Sequence, residues 1–149
     1  MMGETAVHKA IKFTSKKALV ALISVKANLN LPEKRSGLTP LHVAINKYHV
    51  PIAYLLLQCR ADPNIKDLGG NTALHHAAKM SHLKLSSVLL ENGADPNLKN
   101  EVELETPLHY AVLTKDEELM KLIFSWGADI HIRNQRGMTP LNFAKLGNH

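Results

Sequence analysis

At 149 residues the chain has room for one ordinary domain, and 45% hydrophobic with 21% charged residues excludes a disordered segment. Its net charge of +5 is uneven: residues 1–60 carry nine Lys/Arg against two acids, residues 61–149 nine against eleven. A single cysteine, Cys59, excludes an intrachain disulfide scaffold and fits a reducing compartment.

The opening MMGETAVHKAIKFTSKKALVALI lacks the apolar stretch and small-residue cleavage site of a secretory signal. No window approaches the roughly 18 apolar residues that span a bilayer. The expected compartment is therefore the cytosol, with the nucleus as the alternative, and no membrane partner is expected. A first, degenerate unit begins at Thr5 (TAVH), followed by the apolar block LVALI and by KANLN from Lys26. The second begins at Thr39-Pro40, a capping hydroxyl before a proline at the first helical position. Leu41, Ala44 and Ile45 then share one helical face, and a second helix is predicted from Val50 to Gln58 with Pro51 in its first turn. The turn formers from Asp62-Pro63-Asn64 to Gly70-Asn71 predict a projecting hairpin. The third unit begins at Thr72 and the fourth at Thr106-Pro107, with Gly93 and Gly127 placed just past helix ends. A half unit follows from Thr139, in which Asn142 stands where the earlier units hold His and Lys145 where the third holds Ala78.

The Thr-x-(Leu/Val)-His landmark recurs at Thr5, Thr39, Thr72 and Thr106, and as TPLN at Thr139, with intervals of 34, 33, 34 and 33 residues. KANLN, RADPN, GADPN and GADIH run in phase with it, as do LVALI, AYLLL, SVLLE and MKLIF. A unit of this size cannot bury its own apolar face, but stacked neighbours can, so the chain reads as one solenoid over residues 1–149.

This pattern resembles the ankyrin repeat, most closely from Thr72-Ala73-Leu74-His75-His76-Ala77-Ala78 through Leu89 to Asn97, and the resemblance covers nearly the whole chain. It implies an all-α ankyrin-repeat solenoid, a helix-turn-helix plus a projecting hairpin in each of about four and a half repeats. It also implies that His8, His42, His75 and His109 hydrogen-bond within and between repeats. A shared zinc ion would need ligands converging at about 2 Å, which histidines one repeat apart, separated by roughly 8–10 Å, do not offer. Cys59 has no base in a recognisable motif beside it, and no nucleophile elbow or phosphate loop is present. No enzyme activity, cofactor or metal is expected. Asn30, Asn64 and Asn97 hold the asparagine position of the ankyrin hairpin, for which the resemblance implies side-chain-to-backbone bonds and a substrate for asparagine hydroxylation.

Ankyrin stacks bind through a concave face of hairpin tips and inner-helix ends, so departures from the repeat pattern there are the expected partner contacts. On the hairpins these are Arg35, Ser36, Leu38, Leu68, Asn71, Val102, Glu103, Glu105, Gln135, Arg136 and Met138. On the inner-helix ends they are Lys12, Phe13, Asn46, Lys47, Tyr48, Lys79, Met80, Leu113 and Thr114. Exposed Tyr, Met, Phe and Arg are residue types enriched in interface anchors. Glu101 to Glu105 alternates charged and apolar residues, which predicts a strand-like finger with one acidic face. Trp126, before Gly127, is expected to pack on the neighbouring helix, the alternative being an exposed anchor.

Two functions follow. The first is a non-enzymatic adaptor or inhibitor that binds another protein, monomeric on its own. DLGGNTALH from Asp67, the extra residue before ETPLHYAV, and DEELMKLIFSWGAD are similar to the inhibitor-of-NF-κB branch, though the phosphodegron and acidic tail of that branch are missing. The second is a polyanion binder, for nucleic acid or an oligonucleotide, using Lys9, Lys12, Lys16, Lys17, Lys34, Arg35 and Lys47. Only Phe13 and Tyr48 would supply stacking platforms to such a surface.

Overall fold

The computed structural model describes residues 3–146, the backbone alone at Leu146. They form helices joined by turns, bends and irregular loops, with no strand among the described residues. The helices come in pairs: α1 (Ala6–Lys12) with α2 (Lys16–Ser24), α3 (Pro40–Asn46) with α4 (Val50–Gln58), α5 (Ala73–Lys79) with α6 (Leu83–Glu91), and α7 (Pro107–Leu113) with α8 (Glu117–Ser125). A last helix, α9 (Pro140–Leu146), follows. The inner helices α1, α3, α5, α7 and α9 pack in sequence against one another, and the outer helices α4, α6 and α8 form a second ladder behind them.

Each inner helix starts where the repeated threonine dictates. In the first four, Thr Oγ1 and the histidine three residues on form a reciprocal capping box, as in the 3.1 Å bond from Thr72 N–H to His75 Nδ1. A backbone N–H can only donate, so Nδ1 is the bare nitrogen and Nε2 carries the proton. That proton is spent on the next repeat. Nε2 of His8, His42, His75 and His109 donates to the carbonyls of Leu38, Asn71, Glu105 and Met138, at 2.8, 3.1, 3.0 and 3.1 Å. In the fifth unit Asn142 Oδ1 still accepts from Thr139 N–H at 2.9 Å, so the cap survives where the ring is lost.

The core is one continuous strip of Leu, Ile, Val and Ala between the two ladders, with Leu74, Ala77, Leu85 and Leu89 wholly buried at its centre. Alanines at Ala44, Ala77 and Ala111 let the inner helices approach closely. A left-handed residue ends every outer helix: Lys26 and Arg60, then Gly93 and Gly127, at φ of 57°, 68°, 91° and 87°.

Candidate interaction face

The hairpins are aligned edge to edge along one side of the stack. Leu68 N–H donates to Ser36 O at 3.0 Å, Glu101 N–H to Gly69 O at 3.1 Å, and Gln135 N–H to Glu103 O at 2.8 Å. Each hairpin is organised by a side chain at its start. Asp67 Oδ1 accepts from the N–H of Gly69 and of Asn71, both at 2.9 Å; Asn134 Oδ1 accepts from Arg136 and Met138, both at 3.0 Å. Asn100 Oδ1 accepts from Glu105 N–H at 3.0 Å. Behind the hairpins runs an asparagine ladder. Asn30, Asn64 and Asn97 accept from the N–H of Asp62, Asp95 and Asp129 at 2.8, 2.8 and 2.7 Å. Asn64 and Asn97 also donate to the carbonyls of Gly93 and Gly127, both at 3.0 Å.

Among the expected contacts, Arg35, Asn46, Lys47, Tyr48, Leu68, Lys79, Val102, Leu113, Gln135 and Arg136 are exposed, as are Lys12, Phe13 and Thr114. Tyr48, Leu68, Val102 and Leu113 each expose half or more of their surface, large for apolar side chains on one side of a small domain. Tyr48 lies 5.6 Å from the ring of His82, so its side chain is placed by the next repeat. Lys12 is ion-paired with Glu4, which removes part of its charge from the face.

Other expected contacts are partly or wholly engaged by the fold. Leu38, Asn71, Glu105 and Met138 each stand immediately before a repeat threonine and supply the carbonyl that the preceding histidine needs. Glu105 is buried, a correction to its place among the exposed contacts, and burial raises its carboxyl above the ordinary range. Leu38, Ser36, Asn71, Met80, Glu103 and Met138 are half-buried, and Leu38 and Met80 pack against the core. The acidic strand-like finger does not form: 101–103 is a bend, and Leu104 is left-handed at φ 55°. The hairpin bond from Asn100 N–H to Glu105 O at 2.8 Å turns Glu105 inward and breaks the alternation. Trp126 caps the end of α8 with 46% of its surface exposed, so it is not packed away as expected.

Two residues central to the face escaped the sequence reading. His76 places Nε2 2.8 Å from Asp67 Oδ2 and Nδ1 2.9 Å from Asn46 Oδ1, tying α5 to its own hairpin and to α3. Burial alone would raise Asp67, but the bonds from His76, Asn71 and Gly69 outweigh it and hold the carboxyl below its usual range. Tyr110 accepts from Asn100 Nδ2 at 3.0 Å, and burial raises its phenol. Together Asn71, His75, His76, Lys79 and Tyr110 line a small hollow of about 80 Å³ between hairpins and inner helices. Among the described residues no group of three His, Cys, Asp or Glu converges as metal ligands would, and no helix is long and apolar enough to cross a membrane.

Comparison with known proteins agrees with this architecture. A family model of ankyrin repeats, in three copies, matches residues 2–67 and 50–134. An ankyrin repeat protein of fowlpox virus is 31% identical over 137 residues, covering 91% of this chain and 17% of its own length. The mitochondrial disaggregase of Bos taurus is 31% identical over 146 residues, 97% of this chain and 21% of its own. An ankyrin repeat protein of Acanthamoeba polyphaga mimivirus is 32% identical over 150 residues, 99% of this chain and 19% of its own. The chain thus spans about a fifth of the length of these relatives. The capping boxes, the histidine and asparagine bonds between repeats and the matches along the sequence agree: this chain belongs to the ankyrin repeat family.

Proposed function

We propose that the chain is a non-enzymatic adaptor or inhibitor that binds another protein through its hairpin and inner-helix face. Ankyrin repeats are in general protein-protein interaction modules. The observation that carries the reading is a division of labour between residues. The histidines that recur at the repeat interval, and Thr39, Thr72 and Thr106 with them, are buried in capping and inter-repeat bonds, whereas Tyr48, Leu68, Val102 and Leu113 do not recur and stand exposed on one side. Lys47 and Lys79 lie among them, so a partner segment with apolar anchors and flanking carboxylates suits the face. An NF-κB-like transcription factor is the specific partner class we propose, on the resemblance of DLGGNTALH and DEELMKLIFSWGAD to the inhibitor-of-NF-κB branch, with the cytosol or nucleus as the compartment. The test is affinity capture from lysate with wild type and with Tyr48→Glu/Leu68→Glu/Leu113→Glu. Loss of the bound proteins by a variant that still folds supports the face, and an unchanged bound set removes it.

The polyanion reading rests on the exposed cations of the first two repeats, such as Lys16, Lys17, Lys34 and Arg35. The engagement of Lys12 by Glu4 weakens it. It requires oligonucleotide binding that falls steeply as salt rises.

A further inference from the structure

Successive inner helices are not joined in the same way. Between α3 and α5 the gap is closed, because His76 Nδ1 stands 2.9 Å from Asn46 Oδ1. One repeat on, Lys79 and Tyr110 occupy the positions of Asn46 and His76. Lys79 has no hydrogen-bond or ion-pair partner among the described residues, and the hollow of about 80 Å³ beside Tyr110 stays open. Lys79 lies one turn after His75 and His76, and a helical side chain leans back over the preceding turn, which sets all three on the wall of the hollow.

Around this hollow the acceptors are occupied and donors are left over. Asp67 Oδ1 accepts from two backbone N–H groups, and Oδ2 faces His76 at 2.8 Å. The Nε2 proton of His75 goes to the Glu105 carbonyl, and Tyr110 accepts from Asn100 Nδ2. Asn100 Oδ1 accepts from Glu105 N–H, so its other atom is the donor, and the Asn71 atom 3.2 Å from it must be the oxygen. Asn71 Nδ2 is therefore a donor without a partner among the described residues, on a side chain that lines the hollow with Lys79. A cation and an amide donor beside an open space suit an acceptor that carries negative charge.

We propose that the hollow is a carboxylate site: it takes the side-chain carboxylate of an aspartate or glutamate from the bound protein, held by the Lys79 ammonium and the Asn71 amide. The site rests on the protein-binding reading above and gives the partner's chemistry at one point. Glu105 and Glu103 of the neighbouring hairpin limit how much negative charge is accepted. After burial, it is their charge that raises the Tyr110 phenol on the opposite wall. A single carboxylate is therefore favoured over a multiply charged phosphate or a nucleic-acid strand. Leu68 and Val102, exposed on the two adjoining hairpins, offer apolar contacts to the residues that flank the acid.

Selection of random peptides displayed on phage against the full chain tests this. The enriched peptides are expected to share one Asp or Glu among apolar residues, and to lose binding to Tyr48→Glu/Leu68→Glu. Changing that acid to its amide should weaken binding to the wild type by about tenfold or more, read by fluorescence polarisation of the labelled peptide. With Lys79→Met or Asn71→Asp the same change should weaken binding by less than about twofold, because the cation or the donor is already gone. Asn71→Asp keeps the oxygen that Asn100 needs, and both variants should melt as the wild type does. Selected peptides with no acid in common, or an acid-to-amide change that weakens both variants as much as the wild type, overturn the carboxylate site and leave the face standing. A selection that enriches no peptide, or peptides that bind Tyr48→Glu/Leu68→Glu unchanged, overturn the face and the site with it.

Discussion

At the scale of single residues, the repeated histidine is bound to the neutral state by its hydrogen bonds. Nδ1 must accept from a backbone N–H while Nε2 donates to a carbonyl one repeat away. Burial, with the positive field of His76 added, pulls the imidazole of His42 down to about 4, and burial does the same for His75, also to about 4. The ordinary value near 6.5 still applies to the unfolded chain, so below that pH the unfolded state takes up protons that the folded state refuses. Stability is therefore complete above about pH 6.5 and falls as pH drops toward 4, by up to about 3 kcal/mol for each of the two residues. Urea unfolding at a series of pH values checks this, and His75→Asn should flatten part of the slope. A stability that does not change across this range would contradict the assigned tautomers. Gly127 offers a cleaner backbone test, because a Cβ added there meets nothing within 4 Å. Gly127→Ala is expected to cost about 1 kcal/mol from its left-handed φ alone, and Arg60→Gly to relieve part of the same strain. Thermal melts of both variants measure the difference.

At the scale of elements, the helices were legible because one threonine-led motif is written five times, and the capping boxes stand where that motif places them. The hairpins were less legible. Alternation in Glu101 to Glu105 is a local pattern, whereas the chain obeys a register fixed by Asn100 and by the histidine of the preceding repeat. Comparing what precedes each threonine would have revealed it, since Leu38, Asn71, Glu105 and Met138 differ in side chain but share a carbonyl role. His76 was missed because it stands beside the repeated histidine and breaks no pattern. Its partners Asp67 and Asn46 are distant in sequence, and only the packing of α3 on α5 brings them together. The asparagine ladder gives this scale its prediction. Asn64→Ala removes one acceptor and one donor between repeats and leaves Asp95 N–H and Gly93 O without those partners. A loss of about 1–3 kcal/mol is expected in denaturant unfolding. A loss within error would mean that solvent replaces both bonds.

At the scale of the whole molecule, the repeats build a stiff frame from recurring residues and leave the others to carry identity. The front of the chain is basic, the rear exposes Phe124 and Leu141 beside acids in the first turn of α8, and the side between them carries the hairpins. That side is where selectivity is expected, because its Tyr48, Leu68, Val102 and Leu113 are the apolar groups the fold does not use. Substitutions on the opposite side, at Tyr54 and Leu83 of the outer helices, should leave binding of a captured partner within a factor of about two. The same partner should lose at least about tenfold in affinity on Leu68→Glu or Tyr48→Glu. The most direct measurement is amide hydrogen exchange on the full chain with and without that partner. Slowed exchange at the inner-helix ends around Tyr48 and Met80 and in the hairpins at 66–71 and 100–105 is the expected result. Protection confined to α4, α6 and α8, with those hairpins unchanged, would contradict it.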